Sequence, residues 1–359
     1  MKLLLFTSFL ALLLLAVPAA AQLSLTPPTA TPSPAPEKPK EKPEIKPHAV
    51  TKKKEATPAP KPSASPSPPP AATVIPAPPT DNSNADLVYG AYQRGQYKTA
   101  FDLATARAQG GDPKAMTMLG QLYSNALGIK RDYPKAVEWY KRASDAGDRE
   151  AMFELAMMRM AGRGGPVDKG DAVKLLASAA KLGEAKAAYN LALLYLDGQT
   201  LPQDVRRSAE LLRQAADAGL PEAQYALATF YKEGTGVPKD IERAVRLLQA
   251  ASLADNVDAE VEYAIALFNG TGTPKNQPAA VALLRKAARQ NSPIAQNRLA
   301  WVLINGVGTQ ADKVEGFKWH LVAKTGGKGD PDLDKQLTDL PPDDRAKAEA
   351  AAKKWLGTK

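Results

Sequence analysis

Only two histidines, His48 and His320, occur in the 359 residues, and there is no cysteine. Hydrolytic, transfer and metal chemistry need convergent nucleophiles, bases or ligands, and these two residues cannot supply them. His48 falls in a proline- and lysine-rich stretch, while His320 shares a helical column with Tyr140 and Leu176 and reads as a packed residue rather than a ligand. Without thiols there is neither a disulfide framework nor a thiolate metal site. Carboxylates are plentiful, as in Glu233 with Asp240 or Asp255 with Asp258, and read as solvated or capping groups. Recurring Gly-x-Gly turns lack a Gly-Lys-Ser ending and follow helices rather than strands, so neither the phosphate-loop nor the dinucleotide reading applies. The expectation is a non-enzymatic chain with no catalytic residue, no metal and no cofactor.

What those turns punctuate is a repeat. Laid out in rows of 36, the chain places Ala115, Ala151, Ala187, Ala223, Ala259 and Ala295 in one column, and Ala143, Ala179, Ala215, Ala251, Ala287 and Ala323 in a second. Leu119, Leu155, Leu191, Leu227, Tyr263 and Leu299 form a third, and Trp139, Leu175, Leu211, Leu247, Leu283 and Trp319 a fourth. Gly162, Gly198, Gly234, Gly270 and Gly306 recur with Ala126 departing; Gly128, Gly164, Gly236, Gly272 and Gly308 recur with Thr200 departing. Residues 220–255 show how one row folds. Pro221 suits a first helical turn, Ala223, Leu227, Phe230 and Tyr231 share one face, Gly234 and Gly236 end the helix, and Asp240 caps a second helix striped by Ala244, Leu247, Leu248 and Ala251. Two such helices cannot bury both stripes alone, so the unit implies stacked neighbours with a shared core.

The ends differ in kind. Met1–Lys2, an apolar run from Leu3 to Val17 and the small residues Ala19–Ala21 have the three parts of an export signal, predicting cleavage after Ala21 and an exported, most simply periplasmic, product with no later membrane span. Residues 22–83 form a Pro/Lys-rich tether. Eighteen of the 31 prolines fall within 23–80, beside eight lysines set against Glu37, Glu41, Glu44 and Glu55; the composition predicts an extended, disordered spacer. That segment carries +4 of the net +9, and Lys2 a further +1. A nucleic-acid partner is a poor explanation of this charge in an exported chain; contact with peptidoglycan or another anionic surface is a better one, beside simple solubility. Residues 84–111 read as a shorter leading hairpin. After Gly327 comes a polar stretch and then a capping helix from Asp343, with Ala348, Ala351, Ala352 and Trp355 on one side and Trp355 as anchor.

The pattern A-x-x-x-L-(G/A)-x-x-Y, then G-x-G-x-x-x-D, then A-x-x-(L/W)-x-x-x-A and a closing glycine resembles the Sel-1-like repeat family, relatives of tetratricopeptide repeats. It covers six units, 112–147, 148–183, 184–219, 220–255, 256–291 and 292–327. The fifth departs most, with Tyr263, Ala266 and Asn291, predicting a local irregularity. The resemblance implies an all-α, right-handed α/α superhelical solenoid that holds protein partners: envelope or polysaccharide-export assembly, control of a signalling receptor, or host contact. Some secreted relatives are linked to β-lactam binding or hydrolysis, but those look cysteine-rich. A β-lactamase or cell-wall hydrolase is therefore the weakest reading, after a peptidoglycan- or polysaccharide-binding protein.

The resemblance also implies that the first helix of each unit lines a concave face. Two ladders then turn inward: Thr117, Phe153, Tyr189, Tyr225, Val261 and Asn297, and Gln121, Met157, Leu193, Thr229, Ile265 and Trp301. Apart from Met1, every methionine lies in two adjacent first helices, at 116, 118, 152, 157, 158 and 160. Met158 is expected in the core, with Met157 and Met160 toward the groove as adaptable contacts.

Overall fold

Each 36-residue period carries two apolar stripes separated by a turn, and each becomes a pair of helices. The computed structural model describes residues 83–357; the predicted export signal and all but the last residue of the predicted tether lie outside them. Among the described residues there are sixteen helices and no strand. A leading hairpin, α1 (Ser83–Gln93) and α2 (Tyr97–Gln109), precedes six more. These pair α3 (Pro113–Asn125) with α4 (Tyr133–Asp145), α5 (Arg149–Ala161) with α6 (Lys169–Lys181), and α7 (Ala185–Asp197) with α8 (Val205–Asp217). They continue with α9 (Pro221–Glu233) and α10 (Ile241–Leu253), α11 (Val257–Asn269) and α12 (Gln277–Arg289), and α13 (Pro293–Asn305) and α14 (Lys313–Thr325). Two further helices, α15 (Pro331–Thr338) and α16 (Pro342–Gly357), follow. From α1 to α14 each helix packs on the next, the arrangement of a solenoid.

The two alanine columns are its spine. All twelve alanines are 3% exposed or less, so helices cross at short range with no side-chain entropy lost. The third column is buried except for Tyr263, which is half-buried. The fourth column is half-buried at four of its six positions, and the deepest side chains come one residue later: Tyr140, Leu176, Leu212, Leu248, Leu284 and His320, all at 5% or less. Volumes compensate across the hairpin. Tyr140, the bulkiest member of that row, lies over Gly120, where an added Cβ would stand 2.5 Å from the Tyr140 ring; the other five units have alanine there and smaller partners opposite.

The second helices start on a complete set of caps. Asp132, Asp168, Asp204, Asp240, Asn276 and Asp312 each accept a hydrogen bond from the backbone N–H three residues on, at 2.8–3.1 Å, which satisfies an otherwise orphaned donor. The backbone N–H of each cap also donates back to the first helix, to the carbonyls of Tyr123, Arg159, Tyr195, Tyr231, Leu267 and Leu303. The cap thus fixes the hairpin angle as well as the helix start.

The two glycine columns do different work. The first ends the first helix in the left-handed region, with φ between 62° and 82°, and Ala126 adopts the same conformation at 58°. The second abuts the preceding hairpin. A Cβ on Gly128, Gly164, Gly236, Gly272 or Gly308 would lie 2.5–2.9 Å from backbone at the start of α2, α4, α8, α10 or α12 respectively. Thr200, the departure from this column, does not take positive φ. In the closing column, Asp255 at 59° and Asn291 at 70° take the conformation glycine has elsewhere, as short polar side chains tolerate. The fifth unit, where an irregularity was expected, keeps two thirteen-residue helices.

The polar stretch after Gly327 is more ordered than its composition suggests: it contains α15, capped by Asp330 and pinned by Leu333, which is 1% exposed. Past it, α16 returns to pack on α14. Ala348 and Ala352 are buried, and Trp355 meets Trp319 edge-to-face at 5.1 Å between ring centroids. The ammonium of Lys318 lies 4.2 Å from the Trp319 ring centre and 5.1 Å from that of Trp355.

Candidate functional site

The first helices present the two expected ladders, and burial separates them. Thr117, Phe153 and Val261 are 2%, 9% and 4% exposed and so offer little surface for contact. Thr117 Oγ1 lies 3.1 Å from Asp148 Oδ1, a cap of the next unit. Tyr189, Tyr225 and Asn297 are half-buried. Burial, with Glu222 adding to it, pushes the Tyr189 hydroxyl up to about 12; Tyr225 is raised by burial and then by Glu262, Asp258 and Glu233. Asn297 Nδ2 donates to the Lys328 carbonyl at 3.2 Å, joining the last unit to the segment before α15.

The second ladder is the accessible one. Gln121, Met157, Leu193, Thr229, Ile265 and Trp301 are all half-buried, one per unit. Trp301 leans edge-on against Phe268 of the preceding unit at 6.4 Å between centroids, and Gln121 donates to Glu150 at 2.8 Å. The methionines divide evenly: Met116, Met118 and Met158 are buried, while Met152, Met157 and Met160 are half-buried. Half of the methionine cluster is therefore core.

Sequence reasoning missed the carboxylates that flank this ladder. One helical turn away stand Glu154, Glu233 and Glu262, and two turns away Glu150, Glu222 and Asp258, interrupted by Lys186, Arg298 and the Lys232–Glu262 ion pair at 3.0 Å. The signal was available, since Glu150, Glu222 and Asp258 share one column and Glu154 and Glu262 another. Burial raises Glu154 above the ordinary carboxylate range, opposed by Lys186 and reinforced by Glu150 and Glu184. Asp258 is raised by burial and by Glu262. A carboxyl whose folded pKa exceeds its unfolded value costs stability once pH climbs above the unfolded value. Glu154→Gln is therefore expected to raise the urea unfolding midpoint at pH 7, with the gain fading below about pH 4 as both states of the wild type protonate; equal midpoints at pH 7 would contradict the assignment.

Nothing in this arrangement gathers catalytic groups, and among the described residues no cluster of three metal-ligating side chains occurs. His320 is fully buried, with Nε2 2.8 Å from Asp334 Oδ1 of α15. The same carboxylate accepts both contacts of Lys324 at 2.8 and 2.9 Å. His320 is therefore a clasp between the last unit and α15. No helix among the described residues is long and apolar enough to cross a membrane.

The Sel1 repeat profile matches six consecutive segments, 113–148, 149–184, 185–220, 221–256, 257–292 and 293–327, more than half of the chain. The chain belongs to the Sel1 repeat family. Members of this family are protein-interaction scaffolds. A search of curated proteins finds no match. Among solved structures, a Sel1 repeat protein from Oxalobacter formigenes aligns at a TM-score of 0.60 and 26% identity, over 67% of this chain and 98% of that one. The protective antigen c5321 of uropathogenic Escherichia coli, which displays the same type of fold, aligns at 0.51 and 23% identity, over 77% and 68% of the two chains.

Proposed function

We propose that this Sel1 repeat protein is an exported, periplasmic scaffold that holds a protein partner along its first helices, in assembling or regulating an export or signalling system of the bacterial envelope. The observation that carries the reading is the unbroken second ladder, with Met157, Leu193, Ile265 and Trp301 half-buried and carboxylates beside Met157 and Ile265. Apolar anchors with a polar rim are the composition of protein-binding surfaces. Export rests on the N-terminal run with its Ala19–Ala21 site, and reach on the Pro/Lys-rich segment.

Crosslinking pull-down from the envelope fraction tests the reading. Met157→Glu with Trp301→Glu is expected to abolish recovery of a defined protein that the wild type captures, because a charge replaces each of two anchors. Deletion of 23–80 is expected to reduce capture without abolishing it. Unchanged recovery from the double variant would refute the ladder. Loss confined to the deletion, with salt-sensitive retention on cell wall, would move the function to the lysine-rich segment and the peptidoglycan. N-terminal sequencing of the periplasmic protein checks cleavage after Ala21.

A further inference from the structure

The last junction shows one way in which charge can be balanced between successive second helices. At the last junction, Arg285 of α12 reaches Glu315 of α14, with Nη1 at 3.0 and 2.9 Å from the two carboxylate oxygens. In the second unit, Asp171, at the same position in its helix as Glu315, pairs instead within its own hairpin, with Arg159 of α5 at 3.4 Å. Two units before the last junction, the counterparts of Arg285 and Glu315 are Arg213 of α8 and Arg243 of α10. Where the last junction has an ion pair, this one has two guanidiniums.

They converge on one oxygen. Tyr231 Oη accepts from Arg213 Nη2 at 3.4 Å and from Arg243 Nη1 at 3.2 Å. Arg246 joins them from the next turn of α10, and no other junction places three cations at these positions. Guanidinium cannot shed its proton to relieve the repulsion. Local acids offset it only through long, exposed pairs. Arg243 is 3.6 Å from Asp240, whose other oxygen caps α10, and Arg246 is 3.9 Å from an exposed Glu242. Asp217 borders the same cleft, and among the described residues Arg213 forms no ion pair. Burial pushes the Tyr231 hydroxyl up, yet the hydrogen bonds and charges of Arg243 and Arg213 outweigh it and leave the group below its usual value. The surroundings therefore favour negative charge.

The three arginines rim a cleft of about 400 Å³ whose floor is Leu227, Leu247 and the Tyr231 ring. That volume is within the range of small-molecule sites. We propose that the cleft between the third and fourth units binds a small organic oxyanion, a carboxylate or phosphate on an apolar group. The oxygens would lie among Arg213, Arg243 and Arg246, in the forked geometry guanidinium offers such groups, and the apolar body on Leu227 and Leu247. This site is separate from the ladder on the first helices and does not depend on it.

Isothermal titration calorimetry of the full chain with phenyl phosphate, phenylacetate and inorganic phosphate tests the assignment. Saturable binding is expected for at least one of the two organic anions, at least about tenfold tighter than for inorganic phosphate, which has nothing to lay on the apolar floor. Arg243→Glu recreates the pair found at the last junction and is expected to weaken binding by about tenfold or more. Its unfolding midpoint without ligand should be equal to or above that of the wild type. Arg246→Gln should weaken binding in the same direction, and Arg206→Glu, an exposed charge reversal that is not part of the cleft lining, should leave it unchanged. Absence of saturable binding by either organic anion, equal affinity for inorganic phosphate, or full affinity in Arg243→Glu would each overturn the proposal.

Discussion

Gly236→Ala is expected to lower the urea unfolding midpoint sharply, while Gly234→Ala in the same turn lowers it little. Both glycines have positive φ, 67° and 82°, so each alanine incurs a left-handed backbone cost of about 1–2 kcal/mol. Their surroundings differ. At Gly234 the nearest atom to an added Cβ is 3.5 Å away, an ordinary contact, whereas at Gly236 the Val205 carbonyl oxygen is 2.7 Å away and the Val205 side chain 3.0 Å. Backbone cannot rotate aside as a side chain can, so overpacking adds a further ~1–3 kcal/mol. The expected total is about 3 kcal/mol for Gly236→Ala, against about 1 for Gly234→Ala. Ala126 is the internal precedent, since that unit already carries a Cβ at the Gly234 position. Matched midpoints for the two variants would show that the close approach to α8 contributes nothing.

Trp355→Ala is expected to open the C-terminal end of the array. A solenoid whose last helix lacks a neighbour exposes its apolar stripe; here α16 covers α14, with Trp355 against Trp319 and Lys318. Full truncation of a buried tryptophan costs roughly 3–5 kcal/mol, and the half-buried Trp355 should lose about half of that. Stability in a repeat array is local, so hydrogen exchange should accelerate in α14 and α16 and leave α3–α6 unchanged. Trp355→Phe should retain most of the protection. Uniform acceleration along the chain would mean that the array melts as one unit.

The fold was legible because a 36-residue period makes each position testable six times. Alanines that recur at 115, 151 and onward could only be helix crossings, and they are buried throughout. Legibility failed where a residue acts once. The helix α15 reads in sequence as a polar stretch because Leu333 is its only buried side chain, and nothing local marks Asp334 as the partner of the buried His320. The ladders were half legible. Periodicity identifies which residues share a face, but it does not distinguish Phe153, which is buried, from Met157, left half open. Flanking carboxylates such as Glu154 and Glu262 are hard to single out in sequence because charged columns vary from unit to unit while the apolar columns repeat. The arginine cleft escaped for the opposite reason: its meaning lies in a departure from the pair at Arg285 and Glu315, visible only once that pair is seen.

The contact between each second-column glycine and the start of the preceding second helix gives the protein a quantised length. Because that glycine must meet the same backbone in the unit before it, a hairpin can be gained or lost without strain only as a whole 36-residue block. Any other insertion would displace the glycine from its seat. Evolution can therefore resize this scaffold in discrete steps, and each step adds or removes one rung of the ladder, so that the length of the face its first helices present is counted in units rather than tuned continuously.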